Sequence, residues 1–343
     1  MRGITVAVAR AREEKGRALL AAGLCLAIAA CEPSVGHAVP DTVSSAGSGL
    51  YAGTGARGFR FVANVDGFGG PESVKYDAEQ DVYFVSNMTG PGSRKDGNGY
   101  ISRMSAADGG SATVFVESGK NGAVLDAPKG MTIHGDTLWV CDITVLRAFH
   151  RRTGMPLGEI DLGPLDAKLL NDVTVGPDGT LRVTDTGIIM SEIGVIYVGG
   201  DKIFKIGPNR AISLMASGPA LDRPNGVSWD SAGKRWIVVS FDPFDGRITA
   251  FADGDSAGRP IWEKRGVGKI DGVEVLPNGA ILFASWADSS VHLLENGKER
   301  QIVREVPEPA DIGVDTRRNR LAIPLSTLGR VQIWSLGDVG RRR

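Results

Sequence analysis

The sequence predicts an all-β fold: a six-bladed β-propeller whose ring is closed by an N-terminal strand that completes the last blade. Three observations support this fold class. Short apolar segments alternate with turns, one strand–turn–strand pattern recurs six times, and the interval between copies suits a propeller blade. Glycine supplies 47 of the 343 residues and aromatic residues only 6%. Frequent turns with few long apolar helical runs favour an all-β chain.

The clearest copy of the pattern spans residues 170–185. Val173 and Val175 alternate with polar neighbours, as a half-buried strand requires. The Gly176-Pro177-Asp178-Gly179 segment that follows has the composition of a tight turn. Residues 181–184 then provide the returning strand.

Aligning the chain on this copy gives six repeats with a polar residue just before each first strand. The repeats begin at Pro71, Pro128, Leu170, Pro224, Ile270 and Ala310. Their polar positions are 57, 42, 54, 46 and 40 residues apart, which is the spacing of four-stranded blades. The sixth repeat lacks a fourth strand, and we expect residues 59–65 to supply it. The predicted propeller therefore spans residues 58–337, followed by a tail at 338–343.

The N-terminal segment has the features of a processing signal. A basic region precedes an apolar stretch that is too short for a typical transmembrane helix. The stretch ends in Ile28-Ala29-Ala30-Cys31, which resembles a bacterial lipobox with Cys31 as the lipidated residue. We therefore expect a signal peptide at 1–30, a flexible tether at 31–57, and a lipoprotein on the periplasmic face of the outer membrane. The alternative is an ordinary cleaved signal and a soluble periplasmic or secreted protein.

Charge and cysteine content narrow the possible partners. A net charge of −1 argues against nucleic-acid binding. Cys25 and Cys31 belong to the processed segment, which leaves Cys141 without an intrachain disulfide partner in the mature chain. Cys141 lies in a strand-like run and is expected to be a small core residue. We expect a monomer whose one membrane contact is the lipid anchor.

Two insertions are longer than a hairpin requires. Residues 87–99 are polar and rich in turn residues, whereas residues 186–197 are more apolar. Long loops on a rigid scaffold often carry function. Within the first insertion, Asp96-Gly97-Asn98-Gly99 resembles a fragment of a calcium loop, but the rest of the EF-hand spacing is absent. Ordinary turn chemistry is the preferred interpretation.

Residues in the same repeat phase should form a ring around the axis of the propeller. That ring contains Glu72, Lys129, Asn171, Asn225, Asp271 and Asp311. Each of these residues taken alone fits a turn, because Asn-Gly and Asp-Gly are ordinary turn dipeptides. As a set they bring carboxylates and carboxamides together. Such oxygen ligands suit Ca²⁺, while the lack of His and Cys in the ring disfavours zinc.

Four of these segments resemble a known family. The segments are Pro71-Glu72-Ser73, Asn171-Asp172, Pro224-Asn225-Gly226 and Asp271-Gly272. They resemble the senescence-marker-protein, gluconolactonase and luciferin-regenerating-enzyme family of six-bladed calcium or zinc lactonases, and more distantly the paraoxonases. The similarity covers about residues 66–323. It implies that Glu72, Asn225 and Asp271 bind the metal and that Asn171 is a further ligand or a substrate contact. It also implies that Asp271 is the general base.

Lys129 departs from the paraoxonase pattern, which has a proposed catalytic His at this position. Gluconolactonase-type members do not need that His, so the change favours them. A lysine ammonium beside metal ligands would repel Ca²⁺. Lys129 should therefore point away from the cation or meet an anionic group of the substrate.

The leading functional hypothesis is a metal-dependent hydrolase of a lactone or related ester, with the metal in the central tunnel. Calcium is the expected cofactor, with zinc or another divalent cation as the alternative. The second hypothesis is a non-catalytic, envelope-anchored propeller that binds a small molecule or partner protein and holds a structural calcium. A strictosidine-synthase-like propeller is a weaker third hypothesis, because that chemistry does not need the metal quartet.

Overall fold

The computed structural model describes residues 42–43, 53–107 and 109–340. The predicted signal peptide, the lipidation site at Cys31 and most of the predicted tether lie outside the described residues. None of the helices in the described part of the chain is long and apolar enough to cross a bilayer.

The described residues form a six-bladed β-propeller, as predicted. Each blade is built on four antiparallel strands, and in two blades a further short strand extends the sheet. Three N-terminal strands precede the first inner strand: β1 (Thr42–Val43), β2 (Thr54–Gly55) and β3 (Arg60–Asp66). Of these, β1 extends blade 1 through β7, and β2 extends blade 5 through β25.

Blades 1 to 3 follow in chain order. Blade 1 contains β4 (Pro71–Asp77), β5 (Val82–Asn87), β6 (Tyr100–Ser105) and β7 (Ala112–Glu117). Blade 2 contains β8 (Pro128–His134), β9 (Thr137–Asp142), β10 (Val145–His150) and β11 (Pro156–Asp161). Blade 3 contains β12 (Leu170–Val175), β13 (Leu181–Asp185), β16 (Lys202–Ile206) and β17 (Ile212–Ser217).

Blades 4 to 6 complete the ring. Blade 4 contains β18 (Pro224–Asp230), β19 (Arg235–Ser240), β20 (Asp245–Ala252) and β21 (Arg259–Arg265). Blade 5 contains β22 (Ile270–Val275), β23 (Ile281–Ser285), β24 (Ser290–Glu295) and β25 (Lys298–Arg304). Blade 6 contains β26 (Gly313–Asp315), β27 (Arg320–Leu325) and β28 (Arg330–Ser335), with β3 as its fourth strand.

Two elements differ in detail from the sequence-based interpretation. The insertion at 186–197 contains a separate hairpin, β14 (Ile188–Ser191) and β15 (Gly194–Tyr197). The sixth repeat starts at Ala310 in the sequence alignment, but β26 begins only at Gly313. The reason is that Asp311 bridges sideways to Ser73 of blade 1 instead of pairing within its own blade. Three short 3₁₀ turns (Gly163–Leu165, Pro219–Leu221 and Ser326–Leu328) are the helical elements of the described chain.

The core lies between the blades. Six buried apolar clusters each join two adjacent blades, including one that joins blade 6 to blade 1 through Ile333 and Val74. Cys141 is fully buried in the cluster between blades 2 and 3. Apolar burial is therefore continuous around the ring, which holds the inner strands at fixed positions about the axis.

Candidate metal centre on the propeller axis

The ring residues lie at irregular points of the inner strands. In blades 1 to 5 the pairing between the first and second strands shifts at the ring position, as between Leu170 and Val173 or between Ile270 and Val273. Such bulges leave a residue unpaired and re-aim its side chain. The same bulge recurs in each of these five blades. It therefore directs the ring side chain of each blade away from its own sheet at the same position along the inner strand.

Glycine follows the ring residue in blades 2, 4 and 5, and its role is close packing rather than a turn. A Cβ on Gly226 would lie 2.5 Å from the carbonyl oxygen of Asp271 in the next blade. Gly130 and Gly272 meet blades 3 and 6 at similarly short range. The absence of a side chain lets neighbouring inner strands approach. The Asn225-Gly226 and Asp271-Gly272 pairs thus bring the ring residues together.

All six ring residues are buried, with side chains at most 4% exposed. Four of them present an oxygen that has no hydrogen-bond partner among the described residues. These oxygens are Glu72 Oε2, Asn171 Oδ1, Asn225 Oδ1 and Asp271 Oδ1. Buried polar atoms are rarely left unpaired in folded proteins, because the loss of hydration is not compensated. We call these four residues the oxygen quartet.

The quartet carboxyl groups interact strongly with their surroundings. Burial raises the pKa of Glu72 well above its ordinary value, and the Asp271 carboxylate raises it further. Burial likewise raises the pKa of Asp271, with an added contribution from Asp311. Like charges in a buried site are each destabilised by the other. A cation bound between these groups would relieve both the repulsion and the missing hydrogen bonds.

Lys129 is fully buried, and its ammonium is directed toward backbone carbonyls. Its Nζ donates to the carbonyl oxygens of Gly92, at 2.6 Å, and Ala127, at 2.8 Å. Burial lowers the pKa of Lys129, and the nearby Glu72 carboxylate counteracts that effect. The side chain thus ties the insertion at 87–99 to the ring while remaining within the electrostatic range of Glu72.

The other acidic groups on the axis have protein partners. Asp311 Oδ2 accepts a hydrogen bond from Ser73 Oγ at 2.5 Å, and burial raises the pKa of Asp311 to about 6. Asp172 accepts from the backbone N–H of Val227 at 2.8 Å, which joins blade 3 to blade 4. These two acids stabilise the ring, whereas the quartet oxygens remain available for a ligand.

A salt bridge crosses the tunnel on the same strands. Lys75 Nζ lies 2.9 Å from Glu274 Oε1, which joins blade 1 to blade 5. Burial alone would lower the pKa of Lys75, but Glu274, Asp311 and Asp172 raise it. Among the described residues, five carboxyl groups and two ammonium groups therefore share the axis. The excess of acidic groups favours a divalent cation.

Several positioning residues were missed by the sequence analysis. Asp142, at the end of the second strand of blade 2, accepts hydrogen bonds from the backbone N–H groups of Asp126 and Ala127, just before Lys129. Asp185 holds Lys168 and Leu169 in the same way just before Asn171. Both lie in one repeat phase, so continuing the alignment to the end of the second strands would have identified them.

Trp286 was also missed, although it lies beside Asp271. Its indole N–H and the Asn225 amide come close enough to favour the ionised form of Asp271, against the larger effect of burial. The contact is loose, since Trp286 Nε1 has no partner in hydrogen-bonding geometry within the described structure. Trp286 therefore borders the centre on the side of blade 5.

The segment that resembles a calcium-loop fragment bends at Asp96 and Gly97. The backbone N–H of Gly97 donates to Asp126 Oδ1 at 2.9 Å. Across the described residues, three or more His, Cys, Asp or Glu side chains do not cluster in a way that could hold a metal. The quartet has only two acidic members, and its other two oxygens come from asparagine.

Fold and site together define a class of protein: a six-bladed propeller with an oxygen-lined centre on its axis. A family model described as the SMP-30/Gluconolactonase/LRE-like region matches residues 70–312. The chain belongs to this family, as its sequence motifs indicated. The match includes all six ring residues and ends one residue after the last of them, Asp311.

Solved structures show the same fold at low sequence identity. A gluconolactonase from Xanthomonas campestris is 16% identical, with a TM-score of 0.59 over 85% of this chain and 96% of that one. A putative gluconolactonase is 18% identical, with a TM-score of 0.56 over 85% and 96% of the two chains. A luciferin-regenerating enzyme is 10% identical, with a TM-score of 0.56 over 78% and 91%. No curated protein matches the sequence.

Proposed function

We propose that this protein is a divalent-cation-dependent hydrolase that opens a lactone or a related ester. The observation that carries the proposal is the oxygen quartet: four buried oxygens from four blades without a hydrogen-bond partner among the described residues. Family membership supports the lactonase chemistry.

The residues present fit a calcium ion. Glu72, Asn171, Asn225 and Asp271 would hold it through their free oxygens, and carboxylate and amide oxygens are the ligands that calcium prefers. The bound ion would supply Lewis-acid polarisation of the substrate carbonyl. The described structure contains no imidazole or thiolate in the quartet, so calcium is the first choice over zinc.

Asp271 is the proposed general base. Its carboxyl group lies beside Trp286 and Asn225, and burial raises its pKa well above the ordinary value, which makes the carboxylate more basic than a solvent-exposed aspartate. Asp271 would accept a proton from water as the water oxygen bonds to the carbonyl carbon. The ring C–O bond then breaks, and the proton passes to the leaving alkoxide. The product is the hydroxy acid.

The test is turnover by the purified mature protein against a panel of lactones and esters. Asp271→Asn keeps an oxygen but removes the base, so hydrolysis should fall by about 10²- to 10⁴-fold with the fold intact. Chelation should abolish activity, and added calcium should restore it. Asp311→Asn is the comparison variant, because Asp311 is equally buried but accepts a hydrogen bond from Ser73 and lies outside the quartet; its turnover should fall far less than that of Asp271→Asn. Unchanged turnover by Asp271→Asn would exclude the assigned role.

A further inference from the structure

The two insertions meet on the face of the propeller that carries the quartet. The backbone N–H of Met190 donates to Ser93 Oγ at 2.9 Å, and the N–H of Ser93 donates to the Met190 carbonyl at 3.2 Å. Arg94 also pairs with Glu192. The 88–99 loop of blade 1 and the 188–197 hairpin of blade 3 are therefore joined across blade 2. We call this pair of segments the lid.

The lid lies directly against the ring. Gly92, which accepts the hydrogen bond from Lys129, is the point of contact. A Cβ at Gly92 would fall 2.9 Å from the Met190 sulfur and 3.3 Å from the Met88 sulfur. The thioether side chains of Met88 and Met190 therefore lie next to the residue that bonds to Lys129 of the ring.

The face under the lid is lined by apolar residues that occupy the same repeat position in four blades. The residue that directly follows the second strand is apolar in blades 1, 2, 4 and 5. These residues are Met88, Ile143, Phe241 and Trp286. Second strands run antiparallel to the inner strands, so these residues emerge on the face where the inner strands, and hence the ring residues, begin. Together with Ala127, Leu169, Ile188 and Met190 they form one cluster, which we call the apolar collar.

The collar borders the reacting centre. Trp286 lies beside Asp271 and packs edge-on against Phe241, with ring centroids 5.2 Å apart. In blades 3 and 6 the same repeat position carries a hydroxyl, Thr186 and Ser326. Both hydroxyls already donate to backbone carbonyls, of Pro224 at 2.9 Å and of Pro71 at 2.6 Å. Two ammonium groups of the described residues border the collar: Lys269 Nζ lies 5.9 Å from the Trp286 ring centroid, and Lys129 Nζ donates to the carbonyl oxygen of Ala127.

The geometry points to a substrate whose non-reacting part is apolar: a lactone or ester that carries an alkyl or aryl group rather than a polyhydroxylated sugar lactone. This inference rests on the proposed function for its reaction and on the collar for its substrate class. Several hydroxyl groups buried against Met, Ile and Phe side chains would lose water without gaining partners. An alkyl chain would instead replace apolar side-chain contacts, and methionine adapts readily to such ligands.

The experiment compares three lactones on the calcium-loaded protein: unsubstituted γ-butyrolactone, the same ring with a pentyl chain, and glucono-δ-lactone. We expect kcat/KM for the pentyl lactone to exceed both others by at least about tenfold, as burial of apolar groups in a pocket permits. Met190→Gln and Phe241→Asn should each reduce the ratio of kcat/KM for the pentyl lactone to kcat/KM for γ-butyrolactone about tenfold. Ile193→Ser, on the same hairpin but 88% exposed, should leave it unchanged.

A binding measurement distinguishes the inference of an apolar substrate from the proposed hydrolase function. The pentyl lactone should change tryptophan fluorescence in the calcium-free protein, and Trp286→Phe should remove most of that change. Binding of the pentyl lactone without turnover of any lactone would support the apolar site and overturn the hydrolase. Turnover of glucono-δ-lactone at least equal to that of the pentyl lactone would overturn the apolar substrate and leave the hydrolase standing. Neither binding nor turnover would overturn both.

Discussion

The Glu72→Gln variant should be more stable than wild type without calcium and less stable than wild type with calcium. Without calcium, the change removes a buried carboxylate that repels Asp271, so the variant should be more stable than wild type by about 1 kcal/mol. With calcium at about 100 times its dissociation constant, the wild-type protein should gain about 2.7 kcal/mol. That gain corresponds to a rise in Tm of roughly 5 °C for a domain of this size. The variant should gain little.

The assay is thermal unfolding of both proteins in chelator and in a calcium series. Asp311→Asn provides the matched control, since Asp311 is a buried carboxylate of the same ring whose Oδ2 already accepts from Ser73. It should retain the calcium shift. An equal shift in wild type and Glu72→Gln, or its loss in Asp311→Asn, would show that the quartet does not bind the ion.

Two further predictions concern the scaffold. Gly226→Ala should destabilise the protein by about 2 kcal/mol, because the new Cβ would lie 2.5 Å from the Asp271 carbonyl, and urea unfolding measures this. Gly207→Ala, with ordinary contacts of 3.7 Å or more, should change stability by less than about 0.5 kcal/mol, and equal losses would refute the packing argument. For Asp288, burial opposes ionisation, but hydrogen bonds from His292 and Ser290 lower its pKa to about 2. Its ionised form therefore stabilises the fold above the unfolded-state pKa near 4, and that contribution is lost as pH falls toward 2. Asp288→Asn should cost about 1 kcal/mol at pH 7, and the difference from wild type should shrink below pH 4; a pH-independent difference would contradict this.

The sequence contained most of the information about the fold. Strand starts at Pro71, Pro128, Leu170, Pro224 and Ile270 match the structure, because each polar-to-apolar transition coincides with the start of an inner strand. The start of blade 6 was placed three residues early, since the lateral bridge from Asp311 to Ser73 leaves no local pattern. Such an interaction depends on residues far apart in the chain.

The site was harder to predict than the fold. The repeat phase identified Glu72, Asn171, Asn225 and Asp271 as a set, but it could not show which of their oxygens lack partners. Glycines 130, 226 and 272 fit turns in the sequence, whereas their function depends on the distance to the next blade. The contact of Lys129 with Gly92 likewise requires the path of a loop from another blade. The hairpin at 188–197 pairs with itself and carries exposed apolar residues, so periodicity alone did not distinguish it from a loop.

Blade 6 has a consequence for how the molecule is made. Its outer strand, Arg60–Asp66, pairs with Arg330–Ser335, and Arg330 also bonds to the Asp66 carboxylate. More than 260 residues separate the two partners, so this blade cannot assemble until the chain has been synthesised as far as Ser335. Contacts of such long sequence separation slow folding and leave unpaired edges exposed in the meantime. The ring of a nascent chain would therefore stay open until that point, and removal of the residues that follow Val331 should leave it open at blade 6.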